Sequence, residues 1–194
     1  AELRRDENIA RRDDIQAAHD DILEVIRQIT AEMTDKFTDA FEKINVNFQK
    51  VFVDLFQGGR GELRLDTKET DDPLEAGIDI FVQPPGKKLQ NLSLFSGGEQ
   101  SLMAIAIMFA IIMLKPMPFC VLDEVDSALD DANANIFAEF LKKFSAETQF
   151  IVITHRKATM RHADNIFGVT MEEKGVTKIV SISVEEAAKH AKEL

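Results

Sequence analysis

Apolar positions in the first part of the chain recur at helical intervals. Ile15, Ile22 and Ile29 stand seven apart with Ala18 and Val25 between them. The stripe runs on through Met33, Phe37, Phe41, Ile44, Phe48, Phe52 and Leu55 in steps of three and four. The first glycine is Gly58 and the first proline Pro73, so no helix breaker precedes Gly58. One helix of about 50 residues would be about 75 Å long. A compact chain of this length has a radius of gyration of about 16 Å, so such a helix cannot pack wholly within one globule. Its first part, AELRRDENIARRDDIQAAHDD, is charged around a thin apolar seam, like one strand of a coiled coil without its partner. Its second part is rich in phenylalanine and reads as entering a core. A pair of shorter amphipathic helices would satisfy the same pattern.

After FQGGRG the period changes to two. ELRLD and GIDIFVQ alternate, placing Leu63 and Leu65, then Ile78, Ile80 and Val82, on one face. They read as antiparallel strands around the polar loop TKETDDPLEA, with PPGKK ending the pairing because proline lacks a ladder donor. Leu102 to Leu114 is a nearly unbroken apolar run of about thirteen residues, too short for the ~18 or more of a membrane span, and reads as a core helix stopping at Lys115-Pro116. FCVLDE is a short apolar strand ending in two acids. DDANANIFAEFLKKF is an amphipathic helix with Asp130 as N-cap and two lysines near its end. FIVITH is another buried strand. IFGVTM and VTKIVSISV flank a hairpin turn at EEKG, and EEAAKHAKEL reads as a closing helix. Apolar strands alternating with helices predict an α/β fold, a parallel sheet with helices on its faces and a separate patch of small antiparallel strands.

Composition narrows the function classes. The formal net charge is −11, which argues against autonomous nucleic-acid binding by bulk electrostatics. The pairs Arg4-Arg5, Arg11-Arg12 and Lys87-Lys88 are local exceptions, read as solvated faces balanced by nearby acids. A single cysteine, Cys120, lies in an apolar run and reads as a buried thiol suited to a reducing cytoplasm. The charged N-terminus has no secretory pattern, and there is no internal repeat.

Two strands end in chemically useful groups. Phe119 to Leu122 delivers Asp123 and Glu124, and Ile151 to Thr154 delivers His155; in open α/β sheets, ligands bind at such carboxyl ends. An apolar strand ending in an acid is the Walker B pattern, with Asp123 able to support Mg²⁺ and an adjacent acid able to polarise water. In LFSGGEQ, Ser96 can cap the following helix and the glycines can let the chain turn tightly. The same geometry also offers backbone N–H groups and the positive end of a helix dipole to a phosphate.

Taken in order, LSLFSGGEQ, then FCVLDEVDSALD after about twenty residues and IVITHRK after about twenty more, resemble the C-terminal half of an ABC-type ATPase head. They resemble its signature motif, Walker B, D-loop and H-loop. PPGKKLQNLSLFSGGEQSL, PFCVLDEVDSALDDAN, FIVITHRKATMRHAD and the helix FTDAFEKINVNFQKVFVDLFQGG are similar to bacterial SMC proteins (structural maintenance of chromosomes), and the likeness runs from about Ala31 to Ala188. It implies a coiled-coil end over residues 1–30 and the C-terminal lobe of an ATPase head over 31–194. It implies ATP and Mg²⁺ as cofactors, with Ser96, Gly97 and Gly98 contacting the γ-phosphate and Glu99 and Gln100 beside them. Asp123 becomes the Mg²⁺-supporting acid, Glu124 the general base, Ser127, Ala128, Leu129 and Asp130 a D-loop at the head–head interface, and His155 the γ-phosphate switch. The implied partners are the N-terminal half of the same head, a second head, a kleisin subunit facing residues 175–194, and DNA. The implied location is the cytoplasm, at the nucleoid, with no membrane.

No Gly-x-x-x-x-Gly-Lys-Ser/Thr stretch occurs, and GGRGEL lacks the lysine and hydroxyl of a Walker A loop. The expected object is therefore half a head, inactive alone. A DNA-repair ATPase head of similar build and a non-catalytic kleisin-docking module are the alternatives.

Overall fold

The computed structural model describes residues 2–88, 90–91 and 94–183. The expected closing helix at 185–194 lies outside them, as does the end of the segment expected to face a kleisin. The chain divides into two compact units, one of residues 1–43 with 64–79 and one of 44–63 with 80–194.

Helix α1 is a single element, Glu2–Phe56, rather than two shorter ones. In the first unit its seam residues Ile15, Ile22, Val25, Ile29 and Met33 remain 52–64% exposed. The surface carries i,i+4 pairs, Lys36–Glu32 and Lys43–Asp39, each at 2.6 Å, worth about 0.3–0.5 kcal/mol apiece. The loop at 67–76 is closed by Asp72, whose Oδ1 accepts from Leu74 N at 2.9 Å.

In the second unit the last turns of α1 bury Phe48, Val51, Phe52 and Leu55 at three- and four-residue spacing. The glycine cluster beyond has a packing purpose. Gly59 has φ +82°, and a Cβ there would lie 2.4 Å from Gln83 O; one at Gly61 would lie 2.8 Å from Phe52 Cγ. The chain thus turns and crosses closely over α1, as only glycine permits. Strands β1 (Arg60–Asp66), β2 (Gly77–Gln83) and β3 (Gln90–Asn91) form a sheet in that order. The expectation that PPGKK ends the pairing is wrong. Lys87 N donates to Pro84 O at 3.1 Å and Gly86 takes φ +75°. The chain reverses there, so that Phe81 and Val82 pair antiparallel with Asn91 and Gln90. The prolines fall in the turn, where no ladder donor is needed.

Helix α2 (Gly97–Ile112) buries Leu102, Met103, Ile105, Ala106, Phe109 and Ala110. Strand β4 (Phe119–Asp123) runs parallel to β5 (Gln149–Ile153), Phe119 opposite Gln149 and Asp123 opposite Ile153. Between them α3 (Asp131–Phe144) starts at the predicted N-cap, Asp130 Oδ1 accepting from Asn133 N at 2.8 Å, and ends with Lys142 and Lys143. Phe109 of α2 meets Phe140, Phe144 and Phe150 at 5.0, 5.8 and 5.8 Å between ring centroids, joining α2, α3 and the inner face of the sheet. On the outer face Phe119, Val121, Ile151 and Ile153 are 48–57% exposed, so among the described residues helices cover one face of this two-stranded sheet, where the sequence predicts helices on both. Cys120, expected to be buried, is only partly so; among the described residues β4 has one neighbouring strand, which leaves its other edge uncovered. A short helix α4 (Lys157–Met160) was not foreseen. Strands β6 (Asn165–Glu173) and β7 (Val176–Ser183) form the expected antiparallel hairpin. No helix among the described residues is long and apolar enough to cross a membrane.

Candidate functional site at the strand ends and the signature loop

The parallel register of β4 and β5 brings their carboxyl ends side by side. Beyond Asp123, Glu124 turns with φ +48°, a left-handed backbone uncommon for a non-glycine residue, and its N–H donates to Ile153 O at 2.9 Å. That turn carries the Glu124 carboxylate toward His155, with Oε1 3.8 Å from Nδ1 and both side chains more than half exposed. At that separation the two groups are neighbours and are not hydrogen-bonded. Asp123 is exposed at the end of its strand. Among the described residues no three metal-binding side chains converge. One exposed carboxylate fits the way Mg²⁺ is held beside a nucleotide, by one or two carboxylates together with phosphate oxygens and water.

The second group lies at the start of α2. Ser96 is its N-cap in a reciprocal capping box: Glu99 N donates to Ser96 Oγ at 3.4 Å and Ser96 N to Glu99 Oε2 at 3.2 Å. Lys87, from the turn between β2 and β3, reaches Glu99 Oε1 at 2.6 Å and lies 5.5 Å from the centroid of the buried Phe95 ring. Lys87 beside it, helped by the Ser96 donors, holds the Glu99 carboxyl below its ordinary value of 4.5 despite partial burial. Gln100 Nε2 donates to Phe95 O at 3.1 Å.

The glycines do not serve the tight turn considered from the sequence. Neither Gly97 nor Gly98 has a positive φ. A Cβ on Gly97 would meet nothing within 4 Å, and one on Gly98 only Ala128 O and Asn133 Nδ2 at ordinary contact distance. Among the described residues nothing requires glycine at 97. The same contacts show that Gly98 lies against the segment 127–130, in which Ser127, Ala128 and Asp130 are exposed and Leu129 is buried.

Sequence reasoning missed the ties behind Glu124 and His155. Asp126 is fully buried and accepts from Thr154 Oγ1, at 3.0 and 2.8 Å to its two oxygens, and from Thr159 Oγ1. Arg156 Nη2 donates to Ser127 O at 2.8 Å. In the sequence Asp126 is one more acid in an acidic stretch, and no periodicity marks it. Of the basic pairs, Arg12 is matched by Asp13 and Lys87 by Glu99.

Residues 5–178 match the family model described as the RecF/RecN/SMC N terminal domain. The chromosome partition protein Smc of Bacillus subtilis (strain 168) is 53% identical over 175 residues, 90% of this chain but only 15% of that protein's length. The Smc protein of Clostridium kluyveri is 51% identical over 175 residues, with 90% and 14% covered. A structure from work on ATP-driven dimerisation and DNA-stimulated activation of SMC ATPases superimposes with a TM-score of 0.73 at 42% identity, covering 82% of this chain and 96% of that one. The Smc head domain of Pyrococcus furiosus, solved with an extended coiled coil and bound to the C-terminal domain of ScpA, gives 0.71 at 41% identity, covering 95% and 46%. These matches carry an SMC-type head region. The family model's description speaks of an N-terminal domain and lends no support to the C-terminal assignment expected above.

Proposed function

The chain belongs to the RecF/RecN/SMC family, and from that premise we propose that it is one lobe of an ATP-hydrolysing SMC head. It carries the signature loop, Walker B, D-loop and switch histidine. The observation that carries the reading is the pairing of Glu124 with His155 at 3.8 Å where two parallel strands end. An acid and an imidazole at that place can orient a water and contact the phosphate it attacks. In this reading Glu124 is the general base, His155 contacts the γ-phosphate and Asp123 supports Mg²⁺. Ser96, Gly97 and Gly98 present a hydroxyl and backbone N–H groups to a nucleotide held mainly by a second head. Glu99 and Gln100 hold that loop in place. Ser127, Ala128 and Asp130 face the second head, and Leu129 anchors them.

Two observations support a partial head. The chain's two-stranded parallel sheet leaves one apolar face open. Its sequence has no Walker A loop. Assignment to the C-terminal side of the parent protein rests on motif order alone. Two such heads sandwich ATP between them, and hydrolysis removes the phosphate that bridges the interface. Helix α1, with residues 1–30 as the coiled-coil end, passes the change outward. DNA and a ScpA-like kleisin are the further partners.

Mixing this chain with the complementary Walker A segment of the same protein tests the proposal. ATP turnover is expected from the mixture and not from the chain alone. Robust hydrolysis by the chain alone, or none from an assembled mixture, refutes it. A docking module without catalysis would leave turnover unchanged in Glu124→Gln.

A further inference from the structure

We infer that Asp126 is a positioning residue whose buried carboxylate ties the segment bearing Glu124 to the segment bearing His155 and thereby sets their separation. The inference rests on the reading of that pair as base and phosphate contact.

The geometry is specific. Asp126 is 0% exposed, and both of its oxygens accept from Thr154 Oγ1, with Thr159 Oγ1 also donating to Oδ2. Thr154 Oγ1 in turn accepts from Arg156 N at 3.0 Å. His155 therefore sits between two residues gripped through one hydroxyl. On the other side, Ser127 N donates to Glu124 O at 3.0 Å and Leu129 N to Asp126 O at 3.1 Å. These bonds make the run from Glu124 to Leu129 a closed turn that moves with Asp126. Arg156 closes the same two segments from outside, through Ser127 O at 2.8 Å and Asp131 Oδ1 at 3.4 Å. Apolar packing would join two segments equally well at less desolvation cost. Directional bonds from a carboxylate to two hydroxyls fix an angle and a distance as well, which a two-residue catalytic arrangement requires.

The test is made in the full-length protein. Asp126→Asn replaces one acceptor oxygen with a group that donates. It should lower kcat by about tenfold to a hundredfold, the scale set by displacing a reacting group by about 1 Å. KM for ATP should stay within about twofold of the parent. Thr154→Val should reproduce the loss, and Thr154→Ser, which keeps the hydroxyl, should restore kcat. In a His155→Ala background Asp126→Asn should cost little more, because its route to the chemistry is already cut. Hydrogen exchange at 154–159 should quicken in Asp126→Asn while α2 and α3 stay protected. The inference is overturned by an unchanged kcat, by an equal loss in the His155→Ala background, or by unaltered exchange at 154–159. Absence of turnover in the parent protein would instead sink the reading of the Glu124–His155 pair, and hydrogen exchange would still decide whether Asp126 holds the two segments together.

Discussion

Glu124 shows what a single residue gives up for its position. A left-handed backbone costs a residue with a Cβ about 1–2 kcal/mol, and Glu124 holds φ +48° at the end of β4. Replacing it with glycine should raise stability to denaturant by about 1 kcal/mol while abolishing turnover in the assembled head. Glu124→Gln should leave stability unchanged, lower turnover by about 10²–10⁴, the range for a general base, and accumulate ATP-bound dimers on size exclusion. Gly97 makes the reverse case. Alanine there meets open space, so Gly97→Ala should stabilise the fold by up to about 1 kcal/mol yet weaken ATP-driven dimerisation. Undiminished dimerisation would mean that no second molecule comes close at Gly97. Glu99 adds a pH dependence. Its folded value lies below 4.5, chiefly through Lys87. Its contribution is therefore complete above about pH 4.5 and is lost as pH falls through the lowered folded value. The melting temperature of Lys87→Met should depend less steeply on pH below 4.5 than that of the parent. Asp123, Glu124 and His155 were legible because each ends an apolar run. The ties of Asp126 to Thr154 and Thr159 were not, because bonds between residues far apart in sequence leave no local pattern.

Elements followed from periodicity wherever one face is buried. The stripe from Phe48 to Leu55, the core face of α2 and the cap of α3 by Asp130 all stand where the pattern put them. The β3 strand escaped because two residues carry no period, and the proline turn hid a reversal behind a breaker. Cys120 was misjudged because an apolar run shows that a strand is apolar, not how many neighbours cover it. The phenylalanine cluster that joins α2, α3 and β5 predicts its own cost: Phe109→Ala should destabilise by about 3–5 kcal/mol in denaturant titration. Gly61→Ala forces a Cβ into Phe52 and should cost about 1–3 kcal/mol, as overpacking does. A neutral result there would mean that α1 and β1 give way easily.

For the whole molecule, the bare outer face of the β4–β5 sheet bears on how the protein is made. Among the described residues each of these strands has one unpaired edge beside exposed Phe119, Val121, Ile151 and Ile153, a combination that templates pairing with other chains. If the proposed partial head is correct, covering of this face by the complementary segment competes with self-association. The first does not depend on protein concentration when the missing segment is on the same chain; the second does. Light scattering by the chain alone should therefore grow steeply with concentration and fall when the complementary segment is co-expressed. If the proposed reading holds, that same surface favours synthesis of both halves of a head on one polypeptide, where their meeting is intramolecular.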